Sequence, residues 1–104
     1  MALYHVTEET YTAEVENSAL PVLIDFFATW CGPCRMLSPI IEEIAAECEG
    51  RFRVVKVDVD EAPGLASRFG ITSIPTLVVV KNGTAVRQAL GYMPKERVLA
   101  LLED

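Results

Sequence analysis

The residues with the clearest chemical potential are two cysteines separated by two residues, in the run "WCGPC" at residues 30–34. Cysteines at this spacing can form a reversible disulfide, supply half of a zinc site, or act as a small structural crosslink. The run follows an apolar stretch at residues 22–29, and that stretch contains one carboxylate, Asp25. The role of the cysteine pair and the purpose of a charge just upstream of it are therefore the first questions.

The elements around the pair favour redox chemistry. Residues 21–29 form a nearly continuous apolar run, which predicts a strand buried on both faces, and helical spacing from Gly32 to about Glu49 predicts a helix. Cys31 then lies where a strand ends and a helix begins, and the free N–H groups there stabilise a thiolate and lower its pKa. Cys34 lies one turn further on, within reach of Cys31 and more protected.

We therefore expect Cys31 to be the exposed nucleophile and Cys34 the resolving thiol. Gly32 would allow close backbone approach, and Pro33 would stiffen the dipeptide between the cysteines. The only other candidate zinc ligands are Cys48 and His5, and Cys48 is about 20 Å along the predicted helix, so we expect no metal site. A structural disulfide in so small a loop would constrain the unfolded chain little.

The third cysteine, Cys48, shares a predicted helix face with Ile44 and Ile41. That position is typical of a small core residue. A regulatory thiol is the alternative.

Asp25 interrupts the apolar run, and a carboxylate buried there would be costly and would have a raised pKa. Lys56 lies within "VVKVDV", in the next predicted parallel strand, from which it can approach Asp25. We expect Asp25 to donate and accept protons in the thiol chemistry, chiefly at Cys34, with Lys56 tuning it. The alternative is an aspartate that faces solvent.

The remaining pattern predicts one α/β domain over residues 1–104, with the order β-α-β-α-β-α-β-β-α. A short strand at residues 3–6 is followed by a helix capped by Thr7 and ending near Asn17. Residues 21–60 form a β-α-β unit with parallel strands. Asn82-Gly83 is a strong hairpin signature, and Pro94 opens the last helix.

Composition limits the class of partner. The 104 residues are 51% hydrophobic and carry a net charge of −6, which argues against nucleic acid or an anionic membrane as a partner. No apolar run is long enough to span a bilayer, and the first ten residues lack a basic start and a long apolar segment. With an odd number of cysteines, three, the chain does not look like a secreted disulfide framework, so we expect a cytoplasmic location.

Two longer stretches resemble the thioredoxin family over essentially the whole chain. They are "DFFATWCGPC" at residues 25–34 and "VVKVDVDEAPGLASRFGITSIPTLVVVKNG" at residues 54–83. The resemblance implies the thioredoxin fold, a five-stranded mixed β-sheet flanked by four α-helices.

The resemblance also implies a substrate groove. Pro75 would follow a cis peptide bond beside the cysteines, although an ordinary proline at a strand start is the alternative. The Ile74 backbone would hydrogen-bond an incoming substrate strand, and Gly91 would leave room for it. Trp30 would contribute to the apolar rim of this groove, or else be a half-buried aromatic.

The implied activity is that of a general protein-disulfide reductase, an electron carrier between a flavoprotein reductase and disulfide-containing proteins. It would work as a monomer without a bound cofactor, and proline at position 33 is the variant associated with reductants. Phe27, where many bacterial members carry tryptophan, and "GYMPKER" after residue 90 depart from the family pattern. An oxidant or isomerase in an oxidising compartment and a binding module using the same rim are the alternative functions.

Overall fold

A computed structural model describes residues 3–103, in which a mixed sheet of five strands is flanked by four helical segments. The strands are β1 (Leu3–His5), β2 (Val22–Phe27), β3 (Arg53–Asp58), β4 (Thr76–Lys81) and β5 (Thr84–Leu90). The helices are a π-helical segment (Thr12–Glu16), α1 (Gly32–Glu47), α2 (Pro63–Arg68) and α3 (Lys95–Glu103).

The sheet has the order β1-β3-β2-β4-β5. β1, β3 and β2 are parallel, β4 is antiparallel to β2, and β5 is antiparallel to β4. The predicted α/β class, the parallel β-α-β unit and the mixed five-stranded sheet are therefore confirmed.

β2 is the central strand and is covered on both faces, as its unbroken apolar run predicts. On one face Leu23 packs with α1 and α3 side chains such as Ile41 and Val98. On the other face Ile24 packs with side chains of the π-helical segment and of α2, including Val15. Because both faces are apolar, a polar side chain on this strand is removed from water whichever face it occupies.

The β4–β5 hairpin turns at Asn82-Gly83, as predicted. Lys81 pairs with Thr84, which leaves a two-residue loop, and both loop residues have positive φ (52° and 79°). Such loops match the twist of a hairpin and favour Asn-Gly. The hairpin forms the far edge of the sheet beside β2.

The first helical segment differs from the prediction. Thr7 does not cap it; instead the Thr7 N–H donates to Thr10 Oγ1 at 2.9 Å, and residues 7–10 close a separate turn. The helical segment follows that turn and is π-helical, with the Asn17 N–H bonded to the Thr12 carbonyl. The Thr7 hydroxyl lies 3.4 Å from Thr10 Oγ1, so it meets a side-chain hydroxyl and not a backbone N–H of the helical segment.

No helix within residues 3–103 combines the length and the apolar character needed to cross a membrane.

Candidate functional site

The cysteine pair lies at the N-terminus of α1, directly after β2. Cys31 is the N-cap residue, with extended backbone, and its Sγ accepts a 3.2 Å hydrogen bond from the Cys34 N–H. The two sulfur atoms are joined as a disulfide, with their Cα atoms 5.2 Å apart. When the disulfide is reduced, the same N–H group and the helix dipole are in place to stabilise a Cys31 thiolate.

Burial does not distinguish the two cysteines, contrary to the prediction that Cys31 is the exposed one. Cys31 is 5% exposed and Cys34 is 4% exposed. The loop before β4 contributes to this burial, because Ile74 packs against the cluster that holds both cysteines and its carbonyl oxygen lies 3.9 Å from Cys31 Sγ. The two cysteines differ instead in their position, because Cys31 is the N-cap residue of α1 and Cys34 lies inside the helix.

Asp25 is buried in β2, the strand that leads to the pair. It is 1% exposed, and its Oδ1 has no hydrogen-bond partner among residues 3–103. The strands place Lys56 beside it in β3 and the apolar Leu77 beside it in β4. Burial raises the pKa of Asp25 to about 6, and the positive charge of Lys56 partly offsets the increase. The prediction of a buried carboxylate with a raised pKa is therefore confirmed.

Lys56 neighbours Asp25 as predicted, but its ammonium group bonds elsewhere. It donates to Ser38 Oγ at 3.2 Å and lies 4.4 Å from the centroid of the Phe27 ring. Within residues 3–103 it forms no ion pair with a carboxylate. The electrostatic effect of Lys56 on Asp25 therefore acts without direct contact.

A cleft of about 240 Å³ opens beside the resolving cysteine. It is lined by Phe27, Ala28, Thr29, Cys34, Arg35, Ser38 and Lys56. The guanidinium group of Arg35 donates to the Thr29 carbonyl at 2.8 Å and so fastens the connection from β2 to α1. Sequence reasoning missed Ser38, although its position four residues after Cys34 places it one turn above Cys34 on the same helix face.

The predicted groove residues Trp30, Ile74, Pro75 and Gly91 adjoin one another through the loop before β4. The Ile74–Pro75 peptide bond is cis, as expected. Gly91 donates its N–H to the Pro75 carbonyl at 2.8 Å and has a φ of 87°, a conformation that favours glycine. Trp30 is 66% exposed, which excludes the half-buried alternative.

Trp30 also has a partner that sequence reasoning missed. Its indole N–H donates to Asp60 Oδ2 at 2.7 Å. Asp60 follows the end of β3 by two residues, and the cysteines follow the end of the parallel strand β2. Because parallel strands end at the same edge of the sheet, the sequence could have indicated that Asp60 lies near Trp30. A second cleft, of about 210 Å³, lies between Trp30 and Ile74 and is lined also by Val59 and Ile71 to Ser73.

The remaining predicted residues have simpler surroundings. A Cβ atom on Gly32 would meet nothing within 4 Å, and Pro33 lies in the first turn of α1, where its missing N–H costs nothing. Cys48 is 2% exposed at the far end of α1, within the core beneath that helix, so its predicted packing role is confirmed. In the part of the chain from residue 3 to residue 103, histidine, cysteine and acidic side chains form no group of three or more suited to a metal ion.

Comparisons with known proteins agree with this geometry. The family model described as Thioredoxin matches residues 2–104. The chain is 49% identical to Thioredoxin 1 of Nostoc sp. over 102 residues, covering 98% of this chain and 95% of that protein. It is 46% identical to a thioredoxin of Pyropia yezoensis, again covering 98% of this chain and 95% of that protein. It is 44% identical to a thioredoxin of Staphylococcus aureus, covering 99% of this chain and 97% of that protein.

Proposed function

The chain belongs to the thioredoxin family, and from this premise we propose that it reduces protein disulfides by thiol–disulfide exchange through Cys31 and Cys34. The observation that carries the proposal is the 3.2 Å hydrogen bond from the Cys34 N–H to Cys31 Sγ at the start of α1. It places a redox-capable sulfur where a helix stabilises negative charge. Members of this family are thiol–disulfide oxidoreductases, and this chain holds the complete dithiol.

In the first step, the Cys31 thiolate attacks one sulfur of a substrate disulfide. The S–S bond of the substrate breaks, its other sulfur leaves as a thiolate that takes a proton, and a mixed disulfide joins Cys31 to the substrate. The Cys34 N–H group that stabilised the thiolate stays in place, so the attacking atom needs no rearrangement of the backbone.

In the second step, Cys34 resolves the mixed disulfide. Asp25 takes the proton of the Cys34 thiol, and the Cys34 sulfur attacks Cys31. The mixed disulfide breaks, the substrate sulfur leaves with the electron pair and is protonated, and Cys31–Cys34 becomes the disulfide. A general base works best when its pKa is near the working pH, and a pKa of about 6 gives Asp25 that property at neutral pH.

The groove beside the cysteines binds the substrate chain. The exposed Trp30, the loop at Ile74–Pro75 and Gly91 form its rim, and Gly32 and Pro33 connect the two cysteines along the chain. A substrate segment would bind by adding an extended strand against the Ile74 backbone. The substrates are therefore proteins with accessible disulfides.

The cycle needs a source of electrons, and we assign that role to a flavoprotein reductase that returns Cys31–Cys34 to the dithiol. One copy of the chain holds every group used in the exchange, so it acts as a monomer without a bound cofactor. A reductant of this kind works in the cytoplasm, where thiols are kept reduced.

The test is reduction of insulin by dithiothreitol, followed as turbidity. The wild-type protein accelerates precipitation, while Cys31→Ser gives only the rate of dithiothreitol alone. Cys48→Ser is the matched control, because it removes a cysteine from the core far from the site, and it keeps wild-type activity. Equal rates for wild type and Cys31→Ser would refute the proposed function.

A further inference from the structure

The contact between Lys56 and Ser38 has a consequence for Asp25. β2 and β3 place Lys56 directly beside Asp25, where an ion pair would be the default for a half-buried lysine and a buried carboxylate. The ammonium group instead donates to Ser38 Oγ at 3.2 Å, in the cleft beside Cys34. Asp25 Oδ1 is correspondingly without a hydrogen-bond partner in the described residues.

We propose that Ser38 is a positioning residue: its hydroxyl holds the Lys56 ammonium group in the cleft and off the Asp25 carboxylate, and so preserves the ability of Asp25 to accept the Cys34 proton. The inference rests on the proposed role of Asp25 in resolution. In this arrangement Ser38 bonds Lys56 and acts on Asp25 through it.

The electrostatic argument follows from distance. A cation in direct contact with a carboxylate stabilises the charged form and lowers the pKa by about 1 to 3 units, whereas a more distant one does less. Burial raises the pKa of Asp25 to about 6 even though the charge of Lys56 lowers it, as expected for a cation that is not in contact with the carboxylate. If Lys56 closed onto Asp25, the carboxylate would become a weaker base and would remove the Cys34 proton more slowly.

The arrangement of charges explains why the hydroxyl is needed. The ammonium group of Lys56 also lies over the Phe27 ring, a favourable but weakly directional contact. Arg35 lines the same cleft and repels a second cation, so charge alone does not hold the Lys56 ammonium group there. The Ser38 hydroxyl supplies the directional acceptor that holds it.

On β1 and β3, two further titratable side chains lie on the same face as Lys56. His5 in β1 pairs in register with Lys56, and Asp58 follows Lys56 by two residues in β3. β4 contributes only the apolar Leu77 opposite Asp25. Because histidine is the side chain that ordinarily titrates near neutral pH, the variants are made in a His5→Gln background, which leaves Asp25 as the group to follow there.

The test is the carboxyl carbon titration of Asp25 by NMR in the oxidised protein. Ser38→Ala is expected to lower the pKa of Asp25 by roughly 1 unit, because the freed ammonium group moves to the carboxylate. Alanine is also the better helix former, so loss of α1 is not the cause of a shift. Ser67→Ala, in α2, is the matched control and leaves the titration unchanged.

A double-mutant cycle with Lys56→Met isolates the proposed link. In the Lys56→Met protein, Ser38→Ala is expected to leave the titration of Asp25 unchanged, because no ammonium group remains to be positioned. A pKa that stays constant or rises in Ser38→Ala, or an equal decrease in both backgrounds, would overturn the inference.

A kinetic measurement connects the link to function. Reduced protein is treated with 5,5′-dithiobis(2-nitrobenzoate), and release of the second thionitrobenzoate reports attack by Cys34 on the mixed disulfide. Ser38→Ala is expected to shift the acidic limb of this pH–rate profile to lower pH, by the same amount as the pKa measured by NMR. It is also expected to lower the plateau rate, because the carboxylate is a weaker base. If Asp25→Asn leaves the wild-type profile unchanged, the role of Asp25 fails, while the NMR result still decides whether Ser38 positions Lys56.

Discussion

The indole N–H of Trp30 donates a 2.7 Å hydrogen bond to the carboxylate of Asp60, joining the residue before the first cysteine to the turn after β3. Trp30 is otherwise 66% exposed, so little packing restrains its ring. The hydrogen bond therefore holds the largest apolar surface of the rim in one orientation beside Ile74. We therefore expect Asp60 to affect substrate binding through Trp30, and not the cysteines directly.

Asp60→Ala is expected to raise KM for insulin severalfold with little change in kcat, because a mobile indole must be ordered on binding. Its effect on the free energy of unfolding should stay below about 1 kcal/mol, since both side chains are exposed. The chain has one tryptophan, so steady-state fluorescence anisotropy reports the mobility of Trp30 directly. Asp60→Asn keeps an acceptor oxygen and should retain the wild-type KM; equal effects of the two variants would contradict this role.

Asp25→Asn is expected to stabilise the protein above pH 6. Burial raises the folded-state pKa of Asp25 from an ordinary 3.8 to about 6, so unfolding releases its proton between those values and wild-type stability falls as pH rises through them. Above pH 6 the folded protein buries a charged Asp25 carboxylate, which lowers the free energy of unfolding by at most roughly 3 kcal/mol. Urea denaturation of the oxidised wild type and variant across this pH range measures the difference.

The same measurement contains its own control. Below the ordinary aspartate pKa, the carboxyl is protonated in both folded and unfolded chains, so the stability advantage of Asp25→Asn should disappear. An advantage of constant size at every pH would show that the asparagine improves packing and that the carboxylate carries no burial cost.

The sequence predicted the parts of the site that follow from topology. A buried parallel strand leading into a helix places Cys31 at a helix N-terminus, and the β-α-β unit brings Lys56 beside Asp25. Both conclusions need only hydrophobic periodicity and the right-handed crossover. The hairpin at residues 82–83 was equally predictable, because its turn depends on two adjacent residues.

What escaped prediction depends on side-chain direction in the folded protein. Lys56 has a long, flexible chain, and its choice of Ser38 over Asp25 is a balance of contacts that no local pattern expresses. The burial of Cys31 comes from a loop more than forty residues away, where Ile74 closes over the pair. The separate turn over residues 7–10 is a short-range feature, but a cap at Thr7 and a turn closed by Thr10 look alike in sequence.

Cys34→Ser is expected to accumulate a mixed disulfide between Cys31 and the substrate, because the first exchange proceeds and the second has no thiol. Mass spectrometry under non-reducing conditions detects the covalent complex after the reduced variant is mixed with insulin. Cys31→Ser is the matched control and should form far less complex, since the remaining Cys34 lies inside the helix and lacks the N-cap position. Similar yields of the complex from the two variants would contradict the assignment of Cys31 as the nucleophile and Cys34 as the resolving thiol.

Gly91→Ala separates two reasons for a glycine in the groove. The φ of 87° strains any residue with a Cβ atom, so the substitution is expected to cost about 1 to 2 kcal/mol in the free energy of unfolding. The added Cβ would meet no protein atom within 4 Å, so the cost arises from the backbone and not from a clash. Urea denaturation measures it.

Gly91→Asn is the matched comparison, because asparagine tolerates positive φ better than alanine. It should recover part of the lost stability while carrying a larger side chain into the groove. If Gly91 leaves room for substrate as well, KM for insulin rises more in Gly91→Asn than in Gly91→Ala, although Gly91→Asn is the more stable of the two. A larger rise of KM in the less stable Gly91→Ala would instead assign Gly91 to the turn alone, where its N–H bonds the Pro75 carbonyl.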